Sequence, residues 1–238
     1  MKMSTLVAMV AAALVAGTIG TGRAYEAIDV TGGGSLAGTV KTSGAPAPEK
    51  ISVTKDTQAC GTEKVKPDLV VGADGGVANV VVVVKAAKGK KLEASATPVT
   101  FDQKGCEYHP HVLAFPAGST IEVLNPDGVL HNVHVTGKVN PEANRAMPKF
   151  QKKIEWKVEQ PEWPIDVKCD AHPWMHAYWI SMDHPYYAVT DAAGKFTIAD
   201  LPAGDYEVEV WHEKLGKKTE KVTITGGGTA TVDWSLGS

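Results

Sequence analysis

Apolar and polar side chains alternate along most of the chain, in short runs separated by glycine, proline and asparagine. A period of two is typical of β-strands that bury one face, and no stretch shows the period of an amphipathic helix. The sequence therefore predicts an all-β protein built from short strands in β-sandwiches. Before residue 131, the candidate strands are residues 35–40, 51–53, 77–85, 97–101, 112–115 and 119–125.

One of these runs is apolar throughout. Residues 80–84 are five consecutive valines, a β-branched run without polar alternation. Such a run suits a strand that is covered on both faces.

Residues 150–159 alternate clearly, whereas residues 139–149 are expected to form a loop with at most one helical turn.

Two further strands carry metal-binding side chains near their ends. Within residues 165–169 the alternation places Cys169 on the apolar face. Within residues 131–135 it places His131 on the apolar face, while His134 faces the other way. We therefore expect His131, and not His134, to lie against Cys169.

The loop that begins at Cys169 offers two more donors, His172 and Met175. A thiolate, two imidazoles and a thioether are the ligand set of a type 1 copper site, and a thioether is not a usual zinc ligand. Other interpretations remain open. Cys169 could be a buried thiol beside an unrelated histidine, or half of a catalytic Cys–His pair, although no orienting acid is apparent nearby. From the residues alone, His176 could also compete with Met175.

The two motifs, HNVH at residues 131–134 and C-x-x-H-P-x-M at residues 169–175, resemble those of the blue copper proteins (cupredoxins), in particular the amicyanin group. The resemblance implies a cupredoxin-like Greek-key β-sandwich with one type 1 copper. It implies His131, Cys169, His172 and Met175 as the ligands. It also implies that Asn132 ties the two ligand-bearing segments together.

The N-terminus has the pattern of a cleavable export signal. Lys2 is followed by an apolar run over residues 6–16 and by small residues up to Ala24. The run is too short for a permanent membrane anchor, so we expect a periplasmic or otherwise exported protein without a stable membrane anchor. The net charge is −3, and removing Lys2 and Arg23 makes it more acidic, which argues against nucleic-acid binding.

In an oxidising compartment, assigning Cys169 to copper leaves Cys60 and Cys106 free to pair. A disulfide there would close a long loop and contribute about 4 kcal/mol on the chain-entropy model. His109 and His111, with His176, are candidates for an additional metal site. For the first two, ordinary loop histidines are the simpler interpretation.

The tail has a different pattern. Residues 190–210 read T-D-x-x-G-x-F-x-I-x-x-L-P-x-G-x-Y-x-V-x-V, which resembles the carboxypeptidase regulatory-like (transthyretin-like) β-sandwich repeat. The resemblance implies a supporting or binding module and no catalysis. We expect three segments: a signal peptide at 1–24, a copper domain with an N-terminal β extension at 25–182, and the module at 183–238. The module is short for an independent core, so it should pack on the copper domain.

Three functions compete. The first is a one-electron carrier between transient redox protein partners, with the outer edge of His172 as the entry point for electrons and no catalytic residue. The second is a copper-binding or trafficking protein without a carrier role. The third is an exported structural or carbohydrate-binding β protein that binds no copper specifically.

Overall fold

The computed structural model describes residues 24–44 and 47–237. The predicted signal peptide, residues 1–24, lies outside these residues except for Ala24. In the described part of the chain, no helix has the length and apolar character needed to cross a membrane.

Strands dominate the described chain, as the alternation predicted, and one short helix, α1, interrupts them. The first half contains β1 (Glu26–Ala27), β2 (Gly34–Thr42), β3 (Lys50–Ser52), α1 (Thr57–Cys60), β4 (Glu63–Val65), β5 (Val81–Val84), β6 (Lys88–Gly89), β7 (Val99–Asp102), β8 (Val112–Pro116), β9 (Thr120–Leu124) and β10 (His131–Thr136). The second half contains β11 (Ala143–Met147), β12 (Lys153–Lys157), β13 (Glu162–Lys168), β14 (His176–Met182), β15 (Tyr187–Val189), β16 (Lys195–Leu201), β17 (Gly204–His212), β18 (Gly216–Ile224), β19 (Thr229–Thr231) and β20 (Trp234–Leu236).

Strands β7 to β14 form one β-sandwich, which we call the central sandwich. Its two sheets have the strand orders β11-β10-β13-β14-β8 and β12-β9-β7. The alternating side chains of both sheets meet in one core, where the fully buried Trp179 contacts Phe101 and Trp156 edge-to-face at centroid distances of 5.3 and 5.6 Å. The all-β prediction is confirmed. The loop expected at residues 139–149 instead contains strand β11, which pairs with β10.

Strands β2, β5 and β15 to β20 form a second β-sandwich, which we call the terminal sandwich. Its sheets are β15-β5-β17-β18 and β16-β2-β19, with β20 also paired to β2. Strands β2 and β5 were expected in the copper domain, but they pair with strands of the tail, so the sheets cross the predicted boundary at residue 183. The physical reason is core size. The apolar stripe of the tail, which includes Phe196 and Val208, is covered by Leu36 and Val82 from the first part of the chain.

The valine run lies where the two sandwiches meet. All four residues of β5 are buried. Val82 faces the core of the terminal sandwich, whereas Val81 and Val83 pack against Ile180 and Met182 of the central sandwich. The prediction of a strand covered on both faces is confirmed.

Two buried histidines belong to the terminal sandwich and its edges. His184, between β14 and β15, accepts a hydrogen bond from the Tyr186 N–H at Nδ1, and His212 accepts one from the Lys214 N–H, both at 3.2 Å. Burial is the main cause that lowers the pKa of each imidazole, and in each case a neighbouring acidic residue opposes it. Burial therefore favours the neutral form of both rings in the folded protein.

We expect the protein to lose stability as the pH falls through about 6.5, the pKa of an unperturbed histidine. Below that value the unfolded chain takes up protons that the folded rings resist, so stability rises with pH, by at most about 1.4 kcal/mol per pH unit for each histidine. Denaturant unfolding at several values from about pH 5 to about pH 8 measures this slope. The double variant His184→Gln/His212→Gln should have a shallower slope, and an unchanged slope would contradict the assignment.

Candidate metal centre

The two predicted ligand motifs meet at one edge of the five-stranded sheet. Strands β10 and β13 are antiparallel neighbours, and His134 lies opposite Lys168. The start of β10 and the end of β13 therefore lie together, which brings His131 close to Cys169. The loop from 169 to 175 joins β13 to β14 and is closed by two backbone hydrogen bonds, from Met175 N–H to the His172 carbonyl at 2.9 Å and from Cys169 N–H to the Met175 carbonyl at 3.2 Å.

Three donor side chains converge inside this edge. The Nδ1 atoms of His131 and His172 are 2.9 Å apart, and the Cys169 Sγ lies 3.8 Å from His172 Nδ1. The ligand atoms of all three side chains lie within 4.8 Å of one another, and all three side chains are buried. Met175 is also buried and packs in the same core. The structure thus brings together His131, Cys169 and His172, with Met175 in the surrounding core.

The outer nitrogens of both histidines contact carboxylates. His131 Nε2 lies 2.9 Å from Asp127 Oδ2, and His172 Nε2 lies 2.9 Å from Asp56 Oδ2. A neutral imidazole carries one proton, and a carboxylate can only accept it. Each Nε2–H therefore donates to its carboxylate, which leaves the Nδ1 lone pairs pointing at each other. Such carboxylate–histidine pairs orient metal ligands in many proteins.

These donors fit a copper ion. Two lone pairs at 2.9 Å repel each other unless a proton or a metal ion lies between them, and a thiol stands beside them. Burial lowers the pKa of His131, with the Asp127 hydrogen bond acting in the opposite direction, so the ring favours the neutral form that a ligand needs. Burial raises the pKa of the Cys169 thiol, so binding as a thiolate would release a proton. Thiolate and imidazole are donors that copper prefers.

Asn132 connects the two ligand segments. Its Oδ1 accepts hydrogen bonds from the Asp170 N–H at 2.8 Å and the Ala171 N–H at 3.1 Å, and the Cys169 Sγ lies 3.4 Å away. Its Nδ2 donates to Asn144 Oδ1 at 2.7 Å. One side chain on β10 therefore fixes the start of the loop that carries Cys169, in the place where the motif resemblance put it.

A segment from the first part of the chain covers the site. Residues 53–62, which we call the covering loop, contain α1 and lie between β3 and β4. The predicted Cys60–Cys106 disulfide is formed and ties this loop to the central sandwich. Cys60 Sγ lies 3.9 Å from His172 Nε2, and His172 has no exposed surface. The expectation that the outer edge of His172 is open to redox partners is therefore wrong, because Asp56 and Cys60 occupy that edge.

The two carboxylates were not identified from the sequence. Asp127 lies in an Asn-Pro-Asp-Gly turn four residues before His131, and an acidic residue so close to a ligand is a usable signal. Asp56 offers no such signal. It reaches His172 from a distant loop that the disulfide ties to the central sandwich.

The other candidate histidines do not join this cluster. His109 is exposed and its nearest charged partner is Glu107, at 3.7 Å. His176 directs its two nitrogens towards Asp166 and Glu213, and it is not among the residues that converge with Cys169. His111 lies near His176, at a ring-centroid distance of 6.3 Å.

Removing the Asp56 carboxylate is expected to weaken copper binding about ten- to a hundredfold, the range for partners that orient metal-bound histidines. Asp56 has a left-handed backbone, with φ of 50°, which glycine and asparagine both tolerate. Asp56→Gly should show the full loss, and Asp56→Asn, which keeps an acceptor oxygen, a smaller one. Competition titration with a copper chelator measures both against Asp74→Asn, a change at an exposed turn. Equal affinities for Asp56→Gly and the control would contradict the assigned role.

Fold and site together define an all-β protein with two sandwiches and a buried Cys–His–His cluster. Residues 179–237 match the family description of the carboxypeptidase regulatory-like domain. A comparison with curated proteins found no match.

Among solved structures, the chain is similar to a copper-containing nitrite reductase from Thermus scotoductus, with 22% identity, a TM-score of 0.32 and coverage of 40% of this chain and 26% of that one. It thus spans about a quarter of the nitrite reductase. A reduced amicyanin variant shows 20% identity, a TM-score of 0.33 and coverage of 42% and 98%. A purple cupredoxin from Nitrosopumilus maritimus shows 19% identity, a TM-score of 0.30 and coverage of 35% and 99%.

Proposed function

We propose that the protein is an exported type 1 copper protein that carries single electrons between transient redox partners and catalyses no bond chemistry itself. One observation carries the proposal. The inner nitrogens of His131 and His172 converge with the Cys169 thiol in a buried cluster, while the outer nitrogen of each ring is held by a carboxylate. Histidines arranged in this way are prepared to bind a metal ion through Nδ1.

In this proposal, four side chains would act as the metal ligands. His131, Cys169, His172 and the buried Met175 would hold one copper ion. That ion supplies the one-electron couple between Cu(I) and Cu(II).

Other groups fix the donors in place. Asp56 and Asp127 fix the two rings, and Asn132 fixes the loop at Cys169. The covering loop excludes water from His172. Because the donors sit on strands and a hydrogen-bonded loop of a rigid sandwich, they should move little when the charge of the ion changes.

A copper-binding or trafficking role is the second candidate, and the burial of His172 favours it. An electron carrier needs a close approach to its partner, and the covering loop blocks the His172 edge. Another side of the site borders a cavity of about 380 Å³ that Cys169, Pro173 and Trp174 help to line. A carrier would exchange electrons with its partner through this cavity. A protein that only retains copper would need no such approach, and the covering loop alone would serve it.

Titrating the mature chain with Cu(II), followed by visible absorption and then by voltammetry, tests the proposal. A carrier is expected to show an intense thiolate-to-copper band at about one copper per chain and a reversible one-electron couple. Tight Cu(I) binding without that band would assign the protein to copper handling. A chain that binds no copper specifically would contradict both functions.

A further inference from the structure

A second group of potential ligands lies where the two sandwiches meet. His111 directly precedes β8, His176 begins β14, and Glu213 follows β17. Strands β8 and β14 are parallel neighbours, with Val112 opposite Tyr178, so the starts of both strands lie at the same edge. The turn after β17 brings the Glu213 carboxylate to this edge from the terminal sandwich.

The outer nitrogens of both histidines are engaged here as well. His111 Nδ1 donates to the carbonyl oxygen of His176 at 3.0 Å, because a carbonyl can only accept. His176 Nε2 contacts Asp166 Oδ1 at 2.5 Å. In a neutral ring these contacts fix the proton on His111 Nδ1 and on His176 Nε2. His111 Nε2 and His176 Nδ1 then carry no proton, and each has a lone pair that could bind a metal ion.

Both unprotonated nitrogens face the carboxylate of Glu213. His111 Nε2 contacts Glu213 Oε1, and His176 Nδ1 lies 3.9 Å from Glu213 Oε2. The side chains of His111 and Glu213 are 6% and 9% exposed, so this charge is largely removed from water. A lone pair and a carboxylate oxygen in contact need a positive partner between them, either a proton or a metal ion.

We propose that His111 Nε2, His176 Nδ1 and the Glu213 carboxylate form a second metal site, for a divalent ion of the zinc or copper(II) kind. Two imidazoles and one carboxylate are a ligand set that zinc uses, with a water molecule as the fourth ligand. His111 and His176 both line the cavity of about 380 Å³, which can supply that water. An ion bound here would have to draw the His176 ring, which is 27% exposed, towards Glu213, because its Nδ1 lies 3.9 Å from Glu213 Oε2 while Asp166 contacts its Nε2.

This site goes beyond the proposed copper function and does not depend on it. It would tie the terminal sandwich, through Glu213, to the central sandwich, through His111. It would also hold His176, the residue that follows Met175, so it would fix the end of the loop formed by residues 169–175. His109, the third histidine considered from the sequence, lies outside it.

Counting the zinc ions that the full-length chain binds, by equilibrium dialysis against Zn²⁺ alone, tests the proposal. Glu213→Gln and His111→Gln are each expected to bind one zinc ion fewer per chain than the wild type, and His109→Gln is expected to bind the same number. Because the result is a difference, it holds whether or not zinc also enters the Cys169 site. Equal counts in the wild type and Glu213→Gln would overturn the proposal.

Cobalt(II) distinguishes the two sites by their spectra. The ion lost in Glu213→Gln should have only weak visible bands, because its ligands are nitrogen and oxygen, and any thiolate-to-cobalt band should remain. Loss of the thiolate band alone would overturn the proposal. Thermal unfolding of the ion-free variants checks their folding, and Glu213→Asp, which keeps a carboxylate on a shorter side chain, should restore part of the zinc binding if the fold is intact.

Discussion

Cys169→Ser is expected to abolish the thiolate-to-copper absorption and to weaken copper binding by more than about a hundredfold, beyond the range for residues that only orient ligands. Serine keeps the size of the side chain but offers no thiolate, which is the donor that selects copper. In the described chain, Cys169 is the single cysteine outside the disulfide, so no other free thiol is at hand. Visible spectra and chelator competition measure the two effects.

His134→Gln is the matched control for this experiment. His134 lies on the same strand as His131 but faces outward, between Glu142 and Asp170 at 2.8 and 3.1 Å. Its removal should leave the band in place. A Cys169→Ser protein that kept its copper affinity would show that copper binds elsewhere.

The double variant Cys60→Ser/Cys106→Ser is expected to lower the free energy of unfolding by about 4 kcal/mol and to weaken copper binding. The bridge closes a loop between residues 46 apart, so its loss restores much freedom to the unfolded chain. It also frees the covering loop, and with it the Asp56 carboxylate that holds His172. Denaturant unfolding of the copper-free chain isolates the first effect, and chelator competition measures the second. Unchanged stability would contradict the structural role of the bridge.

Both cysteines must be replaced together. In Cys60→Ser alone, the freed Cys106 thiol would stand with Asp127 and His131, and the ligand atoms of these three side chains lie within 4.8 Å of one another. A new metal-binding set could then hide the loss of the old one. Comparing the double variant with a parent chain that already carries Cys169→Ser excludes exchange between the Cys169 thiol and the bridge in the parent.

The local part of the metal centre could be predicted from the sequence because strand periodicity is a local property. Alternation alone separated His131 from His134 and placed Cys169 on the buried face, and the structure has all three as predicted. Cysteine parity predicted the disulfide. The role of Asn132 followed from the motif, since Asn132 and its partners lie next to the ligands in sequence.

Features that depend on distant segments could not be predicted in this way. Asp56 contacts His172 across 116 residues, and no pattern near either residue indicates it. The same holds for β2 and β5, whose alternation shows that they are strands but not which sheet they join. Core size decided that question, because the tail alone cannot bury its own apolar face.

The sharing of β2 and β5 with the tail sets an order for folding. Strands β7 to β14 are contiguous in the chain, so the central sandwich can form as soon as these strands are available. Strand β2 must wait for β16, β19 and β20 from the far end of the chain, and pairings between such distant segments form slowly. Until then β2 and the valines of β5 present unpaired edges, and we expect this interval to be when the chain is most prone to aggregate.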